Sequence, residues 1–207
     1  LLQILGRLSK NQAWYSYLLE RKNNSEYKLA LSILNKNNND KVIVDIGCGI
    51  GQVGQAYGKI NTLNYDYLAI DICLLYLVIA QIYHFDRRIQ YVCANVEYGL
   101  PLENGRVQHV LFLDSFPYVF SKQRLLENIR TKLRTKGKLS IIHTYADSGI
   151  NRLYGYGIDP KTLKKLLYKY KYKNVRYLKY EKDDMQNIVY LTEKQTDLNN
   201  YSCSSTI

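Results

Sequence analysis

The stretch from Lys41 to Gly54 constrains the fold of this chain more than any other. It begins with an apolar run rich in β-branched residues, Val42 to Ile46, which is typical of a strand buried on both faces of a parallel sheet. One carboxylate, Asp45, interrupts the run, and a buried carboxylate is costly unless a partner compensates for it. Glycines allow a tight turn and a close approach of backbone N–H groups to a ligand, and three alternate after the strand: Gly47, Gly49 and Gly51.

Two classes of cofactor site use a strand, a glycine turn and a helix in this way. A dinucleotide site has the pattern G-x-G-x-x-G, which Gly49, Gly51 and Gly54 satisfy. The longer pattern D-x-G-x-G-x-G is satisfied from Asp45 to Gly51, and it also accounts for the acidic residue in the strand. This second pattern resembles the first motif of class I S-adenosylmethionine-dependent methyltransferases with a type 11-like domain. A third interpretation is that the glycines only permit close packing. The longer match favours the methyltransferase interpretation.

The resemblance implies the fold class and the domain organisation. We expect an α/β, Rossmann-like, seven-stranded mixed sheet whose last strand is antiparallel, with helices on both faces and N-terminal capping helices. The 207 residues suffice for one well-buried domain. Residues 1–40 would form the helical cap, residues 41–194 the S-adenosylmethionine-binding domain, and the polar residues 195–207 a disordered tail.

Acidic and amide side chains follow the next two predicted strands. Asp71 ends the second strand, twenty residues after Gly51, where a carboxylate accepts hydrogen bonds from ribose hydroxyls; a helix N-cap before Leu74 is the alternative role. By resemblance to the family, the apolar neighbour Ile72 also belongs to the cofactor site. Asn95 and Val96 occupy positions that contact the exocyclic amine and the ring of adenine in the family, with Asn95 in place of the commoner Asp.

The exit of the fourth strand, from Asp114 to Tyr118, is expected beside the methionine end of the cofactor and the substrate. Its residues distantly resemble the D/N/S-P-P-Y/F/W motif of amino-group nucleic-acid methyltransferases, but Phe116 replaces the first proline. Methyl transfer does not require a dedicated base. If one exists, the candidates by position are Asp114, Tyr118, His143 and Tyr145, and the sequence does not rank them.

The net charge of +11 is concentrated near the C-terminus. Nine basic residues and one acidic residue, Glu181, lie between Lys161 and Lys182, with tyrosines interleaved. A nucleic-acid partner is one interpretation of such a segment. The other is an ordinary solvated helix face, and it is favoured because a core stripe of helical spacing runs through the same residues: Leu163, Leu166, Leu167 and Tyr170.

The predicted function is therefore transfer of a methyl group from S-adenosylmethionine to an unidentified acceptor by in-line displacement. The alternatives are an RNA or DNA methyltransferase that uses the basic segment, and a non-catalytic binding subunit that keeps the cofactor fold. The scattered cysteines and histidines predict no metal site. No apolar run approaches the ~20 residues of a membrane span, and Leu1 to Leu8 lacks the features of a secretory signal, so a cytoplasmic location is expected.

Overall fold

The computed structural model describes residues 25–35, 42–60, 65–83, 86–145, 158–182 and 185–194. The helices are α1 (Ser25–Asn35), α2 (Gln52–Ile60), α3 (Leu74–Tyr83), α4 (Lys122–Lys132) and α5 (Pro160–Lys169). The strands are β1 (Val42–Ile46), β2 (Asp66–Asp71), β3 (Ile89–Cys93), β4 (Val107–Leu113), β5 (Leu133–Tyr145), β6 (Tyr172–Lys182) and β7 (Met185–Lys194). Of the predicted cap, only α1 is described, and the predicted tail lies outside the described residues.

The strands form one mixed sheet of seven strands in the order β3-β2-β1-β4-β5-β7-β6. β1 lies in the middle and pairs in parallel with β2 on one side and β4 on the other. β7 runs antiparallel to both β5 and β6. The predicted fold class is confirmed. Because the strand order reverses between β1 and β4, the carboxyl ends of these strands form the crevice in which open α/β sheets bind ligands.

A hydrophobic core covers each face of the sheet. On one face α4 and α5 pack through Leu126, Ile129 and Leu163, all fully buried, against Val110 and Leu139. On the other face the buried residues of α1, α2 and α3 pack around β1 and β2: Ala30, Leu34, Val53, Tyr57 and Leu77. Alternate residues of a strand point to opposite faces, so β1 contributes Val44 to the first core and Ile43 to the second.

The glycine in residues 134–138 predicts a turn that leads into a strand at 139–144. The structure differs, since β5 already begins at Leu133 and contains an irregularity: Val107 pairs with Leu133 and His109 with Lys138. The left-handed residue is Lys136, with φ of 60°, rather than Gly137. A Cβ on Gly137 would lie 2.8 Å from the carbonyl oxygen of Arg134, so this glycine serves a close backbone approach.

The basic helix α5 has the core stripe that its sequence predicts. Asp159 caps it by accepting a hydrogen bond from the Thr162 backbone N–H, and Pro160 occupies the first turn. Leu163 and Leu167 are fully buried, whereas the lysines of the opposite face are exposed. None of the helices within the described ranges is long and apolar enough to cross a membrane.

Candidate functional site: the glycine loop and the carboxyl ends of β1 to β4

Gly47 turns the chain at the end of β1, with φ of 72°. A Cβ at this position would lie 2.3 Å from the Cβ of Ser115, which follows β4. The Ser115 hydroxyl in turn donates a hydrogen bond to the Ile46 carbonyl. A side chain at position 47 would thus collide with a neighbouring segment of the protein.

Gly49 has the opposite surroundings. Its φ is 56°, and a Cβ built on it would meet no atom of the described residues within 4 Å. Its backbone N–H donates to Asp71 Oδ2 over 2.8 Å, which links the loop after β1 to the tip of β2. The space over Gly49, beside a carboxylate held by a backbone amide, is where the loop can admit a ligand.

Gly51 and Gly54 are packing residues. A Cβ on Gly51 would lie 2.9 Å from the Tyr91 ring, and one on Gly54 would lie 2.9 Å from the Tyr67 ring. Both rings belong to the strands beneath the start of α2. Among the described residues, protein atoms therefore occupy the space that a side chain would need at Gly47, Gly51 and Gly54, whereas Gly49 alone of these four borders open space.

Asp45 lies beneath the loop, and only 1% of its surface is exposed. The Tyr67 hydroxyl donates to Asp45 Oδ2 over 2.9 Å, which supplies a partner that a buried carboxylate requires. Burial, reinforced by the charge of Asp45, raises the pKa of Tyr67 well above its usual value, so the phenol keeps the proton it donates. Burial and the same carboxylate also raise the pKa of the Cys48 thiol.

Asp71 ends β2, and each of its carboxylate oxygens is bonded to the backbone. Oδ2 accepts from Gly49 N–H, and Oδ1 accepts from Cys73 N–H over 2.8 Å. The second bond spans two residues and lies before α3, whose first turn bonds to the Cys73 carbonyl, so it differs from the helix N-cap that was the alternative role for Asp71. Because a carboxylate oxygen has two acceptor sites, both oxygens keep capacity for a hydroxyl. The next residue, Ile72, is 69% exposed despite its apolar side chain.

Asn95 follows β3 and caps the short 3₁₀ turn Val96–Tyr98 by accepting from the Glu97 N–H through Oδ1 over 3.0 Å. This bond fixes the amide plane. Both Asn95 and Val96 are partly exposed, as predicted adenine contacts need to be. The Glu97 carboxylate also accepts from the Phe120 N–H over 2.7 Å, so the turn after β3 is joined to the segment after β4.

The candidates for a catalytic base have different surroundings. Asp114 ends β4 with φ of 57° and is partly exposed, and Tyr118 is 62% exposed. His143 is 1% exposed, its Nε2 lies 3.3 Å from the Ile158 carbonyl oxygen, and burial lowers its pKa, so the ring is neutral near pH 7. Of these three, His143 is the one enclosed by protein. The Tyr145 side chain lies outside the described part of the chain.

Sequence reasoning missed two residues that shape the loop, Tyr67 and Ser115. Tyr67 reaches Asp45 because β1 and β2 pair in parallel with Ile43 opposite Tyr67. The sequence gives one indication of this contact, which is a polar hydroxyl within the buried strand β2. Ser115 lies 68 residues after Gly47, and no local pattern predicts their contact.

The strand order, the antiparallel β7 and the glycine loop after β1 define the fold of the class I S-adenosylmethionine-dependent methyltransferases. The family of methyltransferase domains matches residues 44–141 of this chain. The match includes the loop and the ends of β1 to β4. No curated protein matches the chain in sequence.

Solved structures with a similar fold include a cyclase and two methyltransferases. The [4+2]-cyclase SpnF superposes with a TM-score of 0.68 at 15% identity, covering 81% of this chain and 80% of SpnF. Phosphoethanolamine N-methyltransferase 2 of Haemonchus contortus, in complex with S-adenosyl-L-methionine, gives 0.67 at 12% identity over 81% of this chain and 52% of that one. A methyltransferase from Aquifex aeolicus gives 0.63 at 15% identity over 80% and 89%. At these identities the likeness shows the fold.

Proposed function

We propose that the loop after β1 and the tips of β2 and β3 bind S-adenosylmethionine, and that the protein transfers its methyl group to a substrate nucleophile. The observation that carries the proposal is the open space over Gly49 among the described residues, together with the hydrogen bond by which the Gly49 amide holds the Asp71 carboxylate. The methyltransferase domain spans both residues.

The residues present fit an adenosine-containing cofactor. Asp71 offers acceptor sites to the ribose hydroxyls, and its two backbone bonds orient them in advance. The exposed side chain of Ile72 and the partly exposed Val96 offer apolar contacts to adenine, and Asn95 offers its amide to the exocyclic amine. The loop glycines and Asp45 would form the region of the ribose and methionine, with Asp45 acting from beneath through the loop. Asp114 would lie beside the methionine end.

When bound, S-adenosylmethionine supplies a methyl group attached to a sulfonium sulfur. This sulfur is already an activated leaving group. The residues of the protein then have to hold the nucleophile in line with the methyl group and exclude water. Asp114 and Tyr118 are the accessible candidates for removing a proton from the acceptor. The buried ring of His143 is better placed to support the segment before α5 through Ile158.

Calorimetric titration with S-adenosylmethionine, S-adenosylhomocysteine and NAD tests the cofactor class. We expect binding of the first two and none of NAD. A Gly49→Ala variant puts a methyl group into the proposed ligand space, so we expect at least a tenfold loss of affinity for both adenosyl ligands, equivalent to about 1.4 kcal/mol.

The matched control for Gly49→Ala is Gly105→Ala. Gly105 also has a positive φ, 71°, and also has no atom within 4 Å of a built Cβ, but it lies in the loop before β4. Both variants carry the same backbone strain, so their melting temperatures should fall alike. Equal affinities of the two variants would refute a ligand over Gly49.

The lysines of α5 favour a polyanionic acceptor such as RNA as a second candidate function. Lys161, Lys165 and Lys169 recur every four residues, so they share one helix face, and all three are exposed. A face of this kind can neutralise phosphates while Leu163 and Leu167 anchor the helix in the core.

Replacement of these three lysines by Glu tests the RNA candidate. If they contact phosphates, binding of a labelled single-stranded RNA should weaken about 15-fold when salt rises about fourfold, and the variant should lose most of this dependence. Fluorescence anisotropy measures both. A charge-matched control replaces three exposed basic residues on other elements by Glu: Lys59, Arg106 and Arg124. Equal binding of the two triple variants would assign the α5 lysines to a solvated face.

A further inference from the structure

The outer face of α3 is apolar although it is exposed. Leu74, Leu75, Val78 and Ile82 lie on one side of the helix and are 62%, 54%, 43% and 63% exposed. The opposite side packs into the protein through Leu77, Ile79 and Ala80. A helix that is apolar all round is normally buried, and a contiguous exposed apolar surface marks an interaction site.

The neighbouring strand β3 is an unprotected sheet edge. It ends the order of the described strands, with β2 as its neighbour on one side. Its sequence, Ile-Gln-Tyr-Val-Cys, has no charged residue and no proline, the usual devices that keep an edge from pairing. The Ala94 N–H bonds to the Asp71 carbonyl, so alternation directs the backbone groups of Tyr91 and Cys93 away from β2. α3 packs on β2 and β3, so both features belong to the same side of the molecule.

The distribution of charge favours association of two copies of this chain through this side of the molecule. Between residues 72 and 94 the charged side chains are Asp86, Arg87 and Arg88, and the first and last form an ion pair of 2.8 Å. The basic segment instead lies on α5 and β6, and β6 is at the other end of the sheet. Two copies with a charge of +11 each can therefore meet through their β3 edges with their basic edges at the greatest separation.

We propose that the protein forms a twofold dimer in which β3 pairs antiparallel with β3 of a second copy and the apolar faces of the two α3 helices pack together. An antiparallel pair of identical strands is self-complementary, as a twofold interface requires. The pairing continues the sheet through both copies and buries Leu74, Leu75, Val78 and Ile82. This inference is independent of the proposed methyl transfer.

Sedimentation velocity of the full chain over a range of concentrations tests the dimer. We expect a concentration-dependent dimer. Leu75→Glu should raise its dissociation constant at least tenfold, because each of the two copies would bring one buried negative charge into the interface. Tyr168→Glu is the matched control: Tyr168 is 51% exposed, but it lies on α5 at the β6 side, so this variant should dimerise like the wild type.

Cys93→Pro tests the strand pairing separately. A proline is tolerated on an edge strand where its nitrogen faces outward, so we expect a folded protein with a weaker dimer. Circular dichroism checks that each variant is folded.

A full chain that stays monomeric at all concentrations would overturn the proposal. A dimer that appears only after deletion of residues 1–24 would overturn it too, since those residues would then be the partner of the α3 face. Equal weakening by Leu75→Glu and Tyr168→Glu would place the interface elsewhere.

Discussion

Asp71→Ala is expected to lower the affinity for S-adenosylmethionine about 10- to 100-fold. The carboxylate would accept charge-assisted hydrogen bonds from the ribose hydroxyls, and loss of such bonds costs roughly 1.5–3 kcal/mol. The variant also removes the acceptor of the Gly49 and Cys73 amides, so the loop loses its link to β2. Isothermal titration calorimetry measures the change directly.

Two further variants separate the causes of that loss. Asp66→Ala removes an exposed carboxylate at the other end of the same strand, and it should leave the affinity unchanged. Asp71→Asn keeps the size and one acceptor oxygen, so an intermediate affinity is expected. If Asp71→Ala bound the cofactor as tightly as the wild type, the ribose assignment would be wrong.

Gly47→Ala is expected to lower the free energy of unfolding by about 2–5 kcal/mol. The added methyl group would overlap the Cβ of Ser115, and overpacking costs typically 1–3 kcal/mol. The positive φ adds roughly 1–2 kcal/mol for a residue with a side chain. For a chain of this size the melting temperature should fall by roughly 5–15 °C, which a thermal unfolding scan detects.

The steric part of this cost can be isolated by a double-mutant cycle. Ser115→Gly removes the Cβ that would be struck, so Gly47→Ala should cost less in that background, whereas Ser115→Ala keeps the Cβ and should give no relief. Gly105→Ala reports the backbone strain alone. A Gly47→Ala cost equal to that of Gly105→Ala would mean that Ser115 moves aside freely.

The fold class could be predicted from sequence because its signals are local. The β-branched run before the glycines, the Asp-Pro start of α5 and the spacing from Gly51 to Asp71 each depend on residues close in the chain. The fold, its antiparallel last strand and the methyltransferase resemblance were confirmed. The predicted turn before β5 was wrong in detail, because a glycine indicates a turn but does not say which residue takes the left-handed conformation, and here that residue is Lys136.

The roles of the glycines were decided by tertiary structure. By sequence Gly47, Gly49, Gly51 and Gly54 belong to two overlapping glycine motifs that do not distinguish their surroundings. Their different surroundings come from distant segments: Ser115 occupies the space at Gly47, Tyr91 at Gly51 and Tyr67 at Gly54, while none of them fills the space at Gly49. The same is true of Asp45. The sequence predicts that this buried carboxylate needs a partner, but its contact with Tyr67 depends on the pairing of β1 with β2. The sequence alone determined that a glycine loop follows β1; only packing between segments far apart in the chain determined where that loop is open.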